Sequence, residues 1–204
     1  MFTGIVKDIG LVTSVADRAS EHRTIEIRSS IFKKNYAVGS SVCVSGVCLT
    51  LVGQDTTNET ATFEVGSETL RRTTLIHCRA GDKLNVEPSL VIGAGIDGHF
   101  VTGHVDCTVN VLVVSVEGET QRIKVSLPEA QKRMIAEKGS VTLDGVSLTV
   151  GEVLESSFAV YIFPHTAEQT TIGGVKPGES VNLEVDCIAR YVARYVSNLM
   201  QPYV

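Results

Sequence analysis

Ser147 and Thr149 stand two residues apart in DGVSLTV (144–150), and Cys48 and Thr50 stand two apart in SGVCLTL (45–51). In an extended chain, residues two apart share a face. Ser147 and Thr149 therefore point one way while Val146 and Leu148 point the other, and Cys48 and Thr50 repeat the arrangement. Small hydroxyl and thiol groups of this kind orient a polar ligand or pass a proton. One such pair is usually a polar rim on a strand; the same pair twice points to a duplicated pocket for a duplicated ligand. Asp144 stands where the first copy has Ser45, so the two pockets are not equivalent. His99 and His104 are five apart, which in extended chain puts them on opposite sides, so only one can line a pocket. The pocket role falls to His104, with His99 given a structural or interface role. His22 and His77 read as solvated loop residues.

The duplication extends through the chain. SVCVSGVCLTLV from Ser41 aligns with SVTLDGVSLTVG from Ser140, with six of twelve positions identical. The same offset carries Phe2-Thr3-Gly4-Ile5-Val6 onto Val101-Thr102-Gly103-His104-Val105. Further on, GDKLNVE from Gly81 meets GESVNLE from Gly178, and Thr73-Thr74 meets Thr170-Thr171. Three matched blocks in one order predict two homologous domains, over 1–90 and 98–186, joined by PSLVIGAGID with its proline and glycines.

The elements that must hold these residues are strands. RTIEIRS, SVCVSGVCLTLV, ATFEVGS and KLNVEP in the first half alternate apolar and polar residues or are rich in β-branched types, as do QRIKVSL, SVTLDGVSLTV, FAVYIF and SVNLEV in the second. About six short strands per half predict an all-β fold of two six-stranded, Greek-key-like β-barrels in tandem. Helix is expected near PEAQKRMIAEK, with SIFKKNYAVG as its counterpart, and in a C-terminal α-helix over 187–204. There Ile188, Val192, Val196 and Leu199 form a stripe that either packs on the chain's own barrels or joins chains together.

Composition narrows the function. The 204 residues are 43% hydrophobic and 20% charged, with net charge -5 and no Lys/Arg run longer than a pair. Nucleic acid is therefore not an expected partner. The chain has no apolar run of membrane-spanning length and MFTGIVKDIG is unlike a signal peptide, so a soluble cytoplasmic protein is expected. Five cysteines show no CxxC pair and no metal-ligand spacing with the histidines, which points to reduced thiols and no metal site. All but Cys48 are expected to pack as small hydrophobes.

Taken together, MFTGIV at the start, SGVCLTL, GHFVTGHVD, KGSVTLDGVSLTV and VNLEVD resemble riboflavin synthase over residues 1 to about 200. The resemblance implies a transferase that dismutates two 6,7-dimethyl-8-ribityllumazine molecules. A four-carbon unit passes from one to the other, giving riboflavin and 5-amino-6-ribitylamino-uracil without a cofactor. It implies a homotrimer with the site between the N-terminal barrel of one subunit and the C-terminal barrel of the next. Association with lumazine synthase, the preceding enzyme, is left open.

By the same resemblance each barrel contributes three stretches to a substrate pocket. In the first barrel these are Gly4, Ile5 and Val6, then Cys48, Leu49 and Thr50, then Glu64, Val65, Gly66, Ser67, Glu68 and Thr69. In the second they are Gly103, His104 and Val105, then Ser147, Leu148 and Thr149, then Tyr161, Ile162, Phe163, Pro164, His165 and Thr166, with Lys138 nearby. The chemistry is assigned to Cys48, His104, Ser147 and Thr149, supported by Ser41 and Asp186. A hydroxyl, thiol or bound water adds at C7 of one lumazine and an imidazole shuttles protons; which residue does which stays open. His165 occupies a position where the family often has Glu, so a carboxylate role there does not carry over. The competing reading is a tandem-barrel protein that holds a lumazine without turning it over, in which the paired LT motifs are degraded. Here both are intact.

Overall fold

The alternation seen in the sequence closes into two barrels in the computed structural model, which describes residues 1–18 and 22–199. The first contains β1 (Asp8–Arg18), β2 (His22–Arg28), β3 (Ser41–Val44), β4 (Val47–Asp55), β5 (Thr60–Val65) and β6 (Lys83–Pro88). The second contains β7 (Cys107–Glu117), β8 (Thr120–Ser126), β9 (Ser140–Leu143), β10 (Val146–Val153), β11 (Ser157–Ile162) and β12 (Ser180–Val185). Around the first barrel the order is β1-β2-β5-β4-β3-β6, and the second runs through the equivalent strands in the same order. All pairings are antiparallel. Short helices α1 (Ser67–Arg72) and α2 (Pro164–Gln169) follow β5 and β11, and α3 (Cys187–Leu199) ends the described chain. Residues 200–204 of the expected C-terminal helix lie outside the described residues. No described helix is long and apolar enough to cross a membrane.

Each barrel is filled from its inward positions. Phe32, Phe63, Ile25 and Ile27 lead the first core, and Phe158, Ile123, Leu143 and Ile172 the second, all fully buried. Closure requires strongly bent strands, and bulges supply the bend at matching places: between Val12 and Ser14 in β1 and between Val111 and Val113 in β7, then between Leu51 and Gly53 in β4 and between Val150 and Val153 in β10.

Three expectations change. SVCVSGVCLTLV and its copy, each read as one strand, are tight hairpins: Ser45 and Gly46 have φ of 43° and 83°, and Asp144 and Gly145 have 46° and 76°. Two consecutive positive φ values turn the chain back in the hand that suits a β-hairpin. The two internal stretches expected to be helical form only 3-10 turns, Ser30–Lys33 and Glu129–Met134, each too short to present an apolar face. His22 opens β2 instead of lying in a loop, while His77 ends the 3-10 turn Thr74–His77; both are exposed. Of the cysteines, all unpaired, Cys43 and Cys78 are buried but Cys107 and Cys187 only partly.

The two hairpin turns meet where the barrels touch. A Cβ on Gly145 would lie 2.6 Å from the Gly46 nitrogen, and one on Gly46 would lie 2.8 Å from the Gly145 nitrogen. Two buried asparagines cross this contact reciprocally. Asn85 donates to the Asp144 carbonyl at 2.9 Å and accepts from Thr171 N–H at 2.8 Å; Asn182 donates to the Ser45 carbonyl at 2.8 Å and accepts from Thr74 N–H at 2.8 Å. Beside them, Ser45 Oγ accepts from Asn85 N–H, whereas the Asp144 carboxylate accepts from Asn182 N–H.

Burial pushes the Asp144 carboxyl from 3.8 up to about 7, against the lowering pull of the Asn182 N–H. The folded protein thus holds a proton that the unfolded chain releases near its ordinary value. The contribution of Asp144 to stability therefore falls as pH rises from about 4 to about 7. Asp144→Asn keeps the acceptor and the left-handed backbone but removes the ionisation. Urea melts across this range should show a shallower decline in the variant, and a variant stability advantage at pH 8 that is absent at pH 4.

Candidate active site

The first turns of β4 and β10 carry the two short polar faces. Cys48 lies opposite Cys43 on β3, and Ser147 opposite Thr142 on β9. Leu49 and Leu148 are buried, Cys48 and Ser147 partly buried, and Thr50 and Thr149 exposed, as the alternation requires. Along the outer side of each hairpin runs a segment from the other half of the chain. The Gly4 carbonyl accepts from Ser147 N–H at 2.8 Å, and the Gly103 carbonyl accepts from Cys48 N–H at 2.8 Å. Val6 packs on the second core and Val105 on the first. The segments therefore lie on the opposite barrel from the one expected: Gly4, Ile5 and Val6 run along the second barrel's hairpin, and Gly103, His104 and Val105 along the first. Only glycine fits at the crossing points. Gly4 and Gly103 have φ of 75° and 77°, and a Cβ on them would come 2.6 Å and 2.7 Å from the Cβ atoms of Ser147 and Cys48.

In the second barrel a cavity of about 210 Å³ is lined by Lys138, Ser147, Leu148, Thr149, Tyr161, Phe163 and Thr166, with Val150 and Gly151. Tyr161 leans over Gly151, where a Cβ would meet its ring at 2.6 Å. Phe163, Pro164 and His165 are exposed around the N-terminal end of α2, whereas Ile162 faces the core. The first barrel repeats this pattern: Val65 faces the core, Glu64 is exposed on β5, and Gly66, Ser67, Glu68 and Thr69 enter α1. Glu68 is engaged by Arg71 at 3.0 Å and by Arg72 at 2.5 Å.

His99 occupies a place the sequence reading did not give it: its Nδ1 lies 2.7 Å from Ser147 Oγ. Its backbone is set by a bond from His99 N–H to the Thr3 carbonyl at 3.1 Å. His104 is exposed, its N–H donating to Thr102 Oγ1 at 3.3 Å. Burial lowers the His99 imidazole below 6.5, opposed by the negative charges of Asp186 and Glu184. The ring is thus neutral at pH 7 and able to exchange a proton with Ser147. Asp186 also caps α3 by accepting from Ile188 N–H at 2.8 Å. Ser41 lies across from Thr50, its carbonyl accepting from Ser89 Oγ at 2.8 Å.

The lumazine binding domain family matches residues 3–89 and again 102–186. A riboflavin synthase of Brucella abortus is 40% identical over 197 residues, covering 95% of this chain and 97% of that one. The chain belongs to the riboflavin synthase family. Riboflavin synthases of Mycobacterium bovis and Bacillus subtilis are 37% and 31% identical, each over at least 95% of this chain and at least 90% of their own length. Crystal structures of LumP complexed with riboflavin and with 6,7-dimethyl-8-(1'-D-ribityl) lumazine share the fold, with TM-scores of 0.82 and 0.80 at 20% and 19% identity. Each covers 91% of this chain and 99% of its own.

The family resemblance put GHFVTGHVD in view, but strand alternation is no guide to its two histidines, because among the described residues only the isolated bridge between Phe2 and Val101 is regular there. The buried Glu87 and Glu184 were missed because an acidic residue in a strand reads as surface. A pH titration of the His99 ring by nitrogen-15 NMR should give a midpoint below 6.5. Asp186→Asn should lower it further, because that carboxylate opposes the effect of burial; an unchanged or raised midpoint would contradict this arrangement.

Proposed function

We propose that the chain joins two molecules of 6,7-dimethyl-8-ribityllumazine by transferring a four-carbon unit, releasing riboflavin and 5-amino-6-ribitylamino-uracil. The observation that carries this reading is the pair of sites built on one plan, each with its two-residue polar face, hairpin and crossing segment. A reaction between two copies of one molecule needs two binding surfaces of one shape. The C7 methyl group of a lumazine is acidic, because its anion delocalises into the ring carbonyls, so the protein's main tasks are orientation and proton movement. Fixing two reactants is worth roughly 7–11 kcal/mol, and a placed proton carrier adds a factor of about 10² to 10⁴. In the second barrel Ser147 and neutral His99 form the proton relay, with Thr149 and Lys138 at the cavity edge. In the first, Cys48 and Thr50 bind the partner ring, and Ser41 supports that strand from across the hairpin.

The cavity beside Ser147 lies at the surface, edged by the exposed Thr149, Tyr161 and Phe163, and the reaction needs a second ring laid over the first. The reading is a homotrimer in the cytoplasm, in which one subunit's first barrel faces its neighbour's second. The assembly is attributed to α3. Ile188, Val192, Val196 and Leu199 are 60%, 56%, 45% and 61% exposed in the single chain; Ile188, Val192 and Val196 line one side of a groove whose other side is Met134, Ala136 and Gly139, and the apolar surface left open there favours burial against another subunit. The base of the helix is firmly set, since Arg190 makes a two-pronged pair with Asp106, whose carboxylate also accepts from Val185 N–H.

Incubation with the lumazine should produce riboflavin continuously; a saturable fluorescence change without riboflavin would mean a carrier. Cys48→Ser should keep the fold and part of the rate, and Cys48→Phe should block the first site and abolish turnover. Deletion of residues 187–204 should yield monomers by light scattering that still bind ligand but have lost turnover. A monomer with full turnover would overturn the site between subunits.

A further inference from the structure

Glu87 and Glu184 are 3% and 1% exposed, and among the described residues neither carboxylate forms an ion pair that would account for its burial. Both are turned instead on backbone. Glu87, on β6 of the first barrel, accepts from Thr3 N–H at 2.7 Å, Thr3 Oγ1 at 2.8 Å and Gly4 N–H at 3.0 Å. Glu184, on β12 of the second, accepts from Thr102 N–H at 2.8 Å, Thr102 Oγ1 at 2.5 Å and Gly103 N–H at 2.9 Å. The segment that each carboxylate holds is in turn bonded to the opposite barrel's site. The Thr3 carbonyl takes the N–H of His99, and the Gly4 carbonyl takes the N–H of Ser147; the Gly103 carbonyl takes the N–H of Cys48.

We infer that Glu87 and Glu184 are positioning residues that act across the barrels: Glu87 sets the His99–Ser147 pair of the second site, and Glu184 sets Cys48 of the first. A carboxylate suits this work because it only accepts. Its two oxygens take three donors at once, and charge-assisted bonds are short and stiff. Glutamine at the same place would aim an amide N–H at one of the donors, leaving that N–H unpaired and shifting the segment. The displacement reaches the site directly, since Gly4 and Gly103 have no slack against Ser147 and Cys48. The inference rests on the two-site reading, and it adds a directional rule that a purely structural role lacks. A merely structural glutamate would weaken the barrel to which it belongs.

The experiment separates the sites with Cys48→Phe, which leaves the second open, and Ser147→Phe, which leaves the first. Riboflavin binding is followed by fluorescence quenching in the full-length chain. In the Cys48→Phe parent, Glu87→Gln should weaken riboflavin binding about tenfold and Glu184→Gln less than about twofold; in the Ser147→Phe parent the order should reverse. Equal losses in both parents, or losses confined to the glutamate's own barrel, would overturn the inference. If neither parent binds riboflavin, the two-site reading itself fails. Should the glutamine variants not fold, Thr3→Val and Thr102→Val remove one donor from each carboxylate and should give the same crossed pattern more weakly. Thr3→Ser and Thr102→Ser, which restore the hydroxyl, should recover binding, and failure to do so would count against the proposal.

Discussion

A backbone segment drawn into the seam between two barrels must find partners for its N–H groups, or each unpaired group carries the full cost of its lost hydration. Residues 2–4 and 101–103 meet this constraint twice over. Phe2 and Val101 pair with each other through both backbone groups, at 2.8 and 3.1 Å, and the next two N–H groups on each segment end on a glutamate. The price is a buried carboxylate in each barrel, and burial raises Glu87 despite its three donors. Much of the molecule goes with this arrangement: the crossing segments run along the hairpins, the hairpin turns are in glycine contact, and Asn85 and Asn182 reach across.

Symmetry of the scaffold coexists with asymmetry of the chemistry it displays. Cys43 and Cys48 of the first hairpin become Thr142 and Ser147 in the second, a thiol pair replaced by a hydroxyl pair on the same backbone. The Thr142 hydroxyl is buried without a hydrogen-bond partner among the described residues, while Cys43 packs among Phe2 and Val101 as an apolar group. Ser45 becomes Asp144, so the turn of the second hairpin titrates and that of the first does not. Two surfaces alike in shape can thus hold two copies of one molecule, and their differing groups can treat those copies differently.

The repeat, the strands and the short polar faces were legible in the sequence because they are local. Alternation places Ser147 with Thr149 whatever the strand later packs on, and a matched block at a constant offset can be read without knowing the fold. The hairpin turns were also written there, as Ser45-Gly46 and Asp144-Gly145, but a continuous apolar pattern on either side concealed the reversal. The apolar stripe of α3 was visible by its spacing, but spacing does not say what covers it; in the single chain Ile188, Val192, Val196 and Leu199 stay about half exposed beside the second barrel.

Only the tertiary structure decided which half of the chain lies along which hairpin. Gly4 and Gly103 occupy equivalent places in the repeats, and nothing local distinguishes packing on one's own barrel from packing on the other. The choice is made by long-range pairing, through the bonds from Ser147 to Gly4 and from Cys48 to Gly103 and the glutamates that hold the segments in place. The same pairing brings His99 to Ser147, 48 residues away. Sequence periodicity reports the face on which a side chain lies; the partner that face meets is set by how two closed barrels exchange their ends.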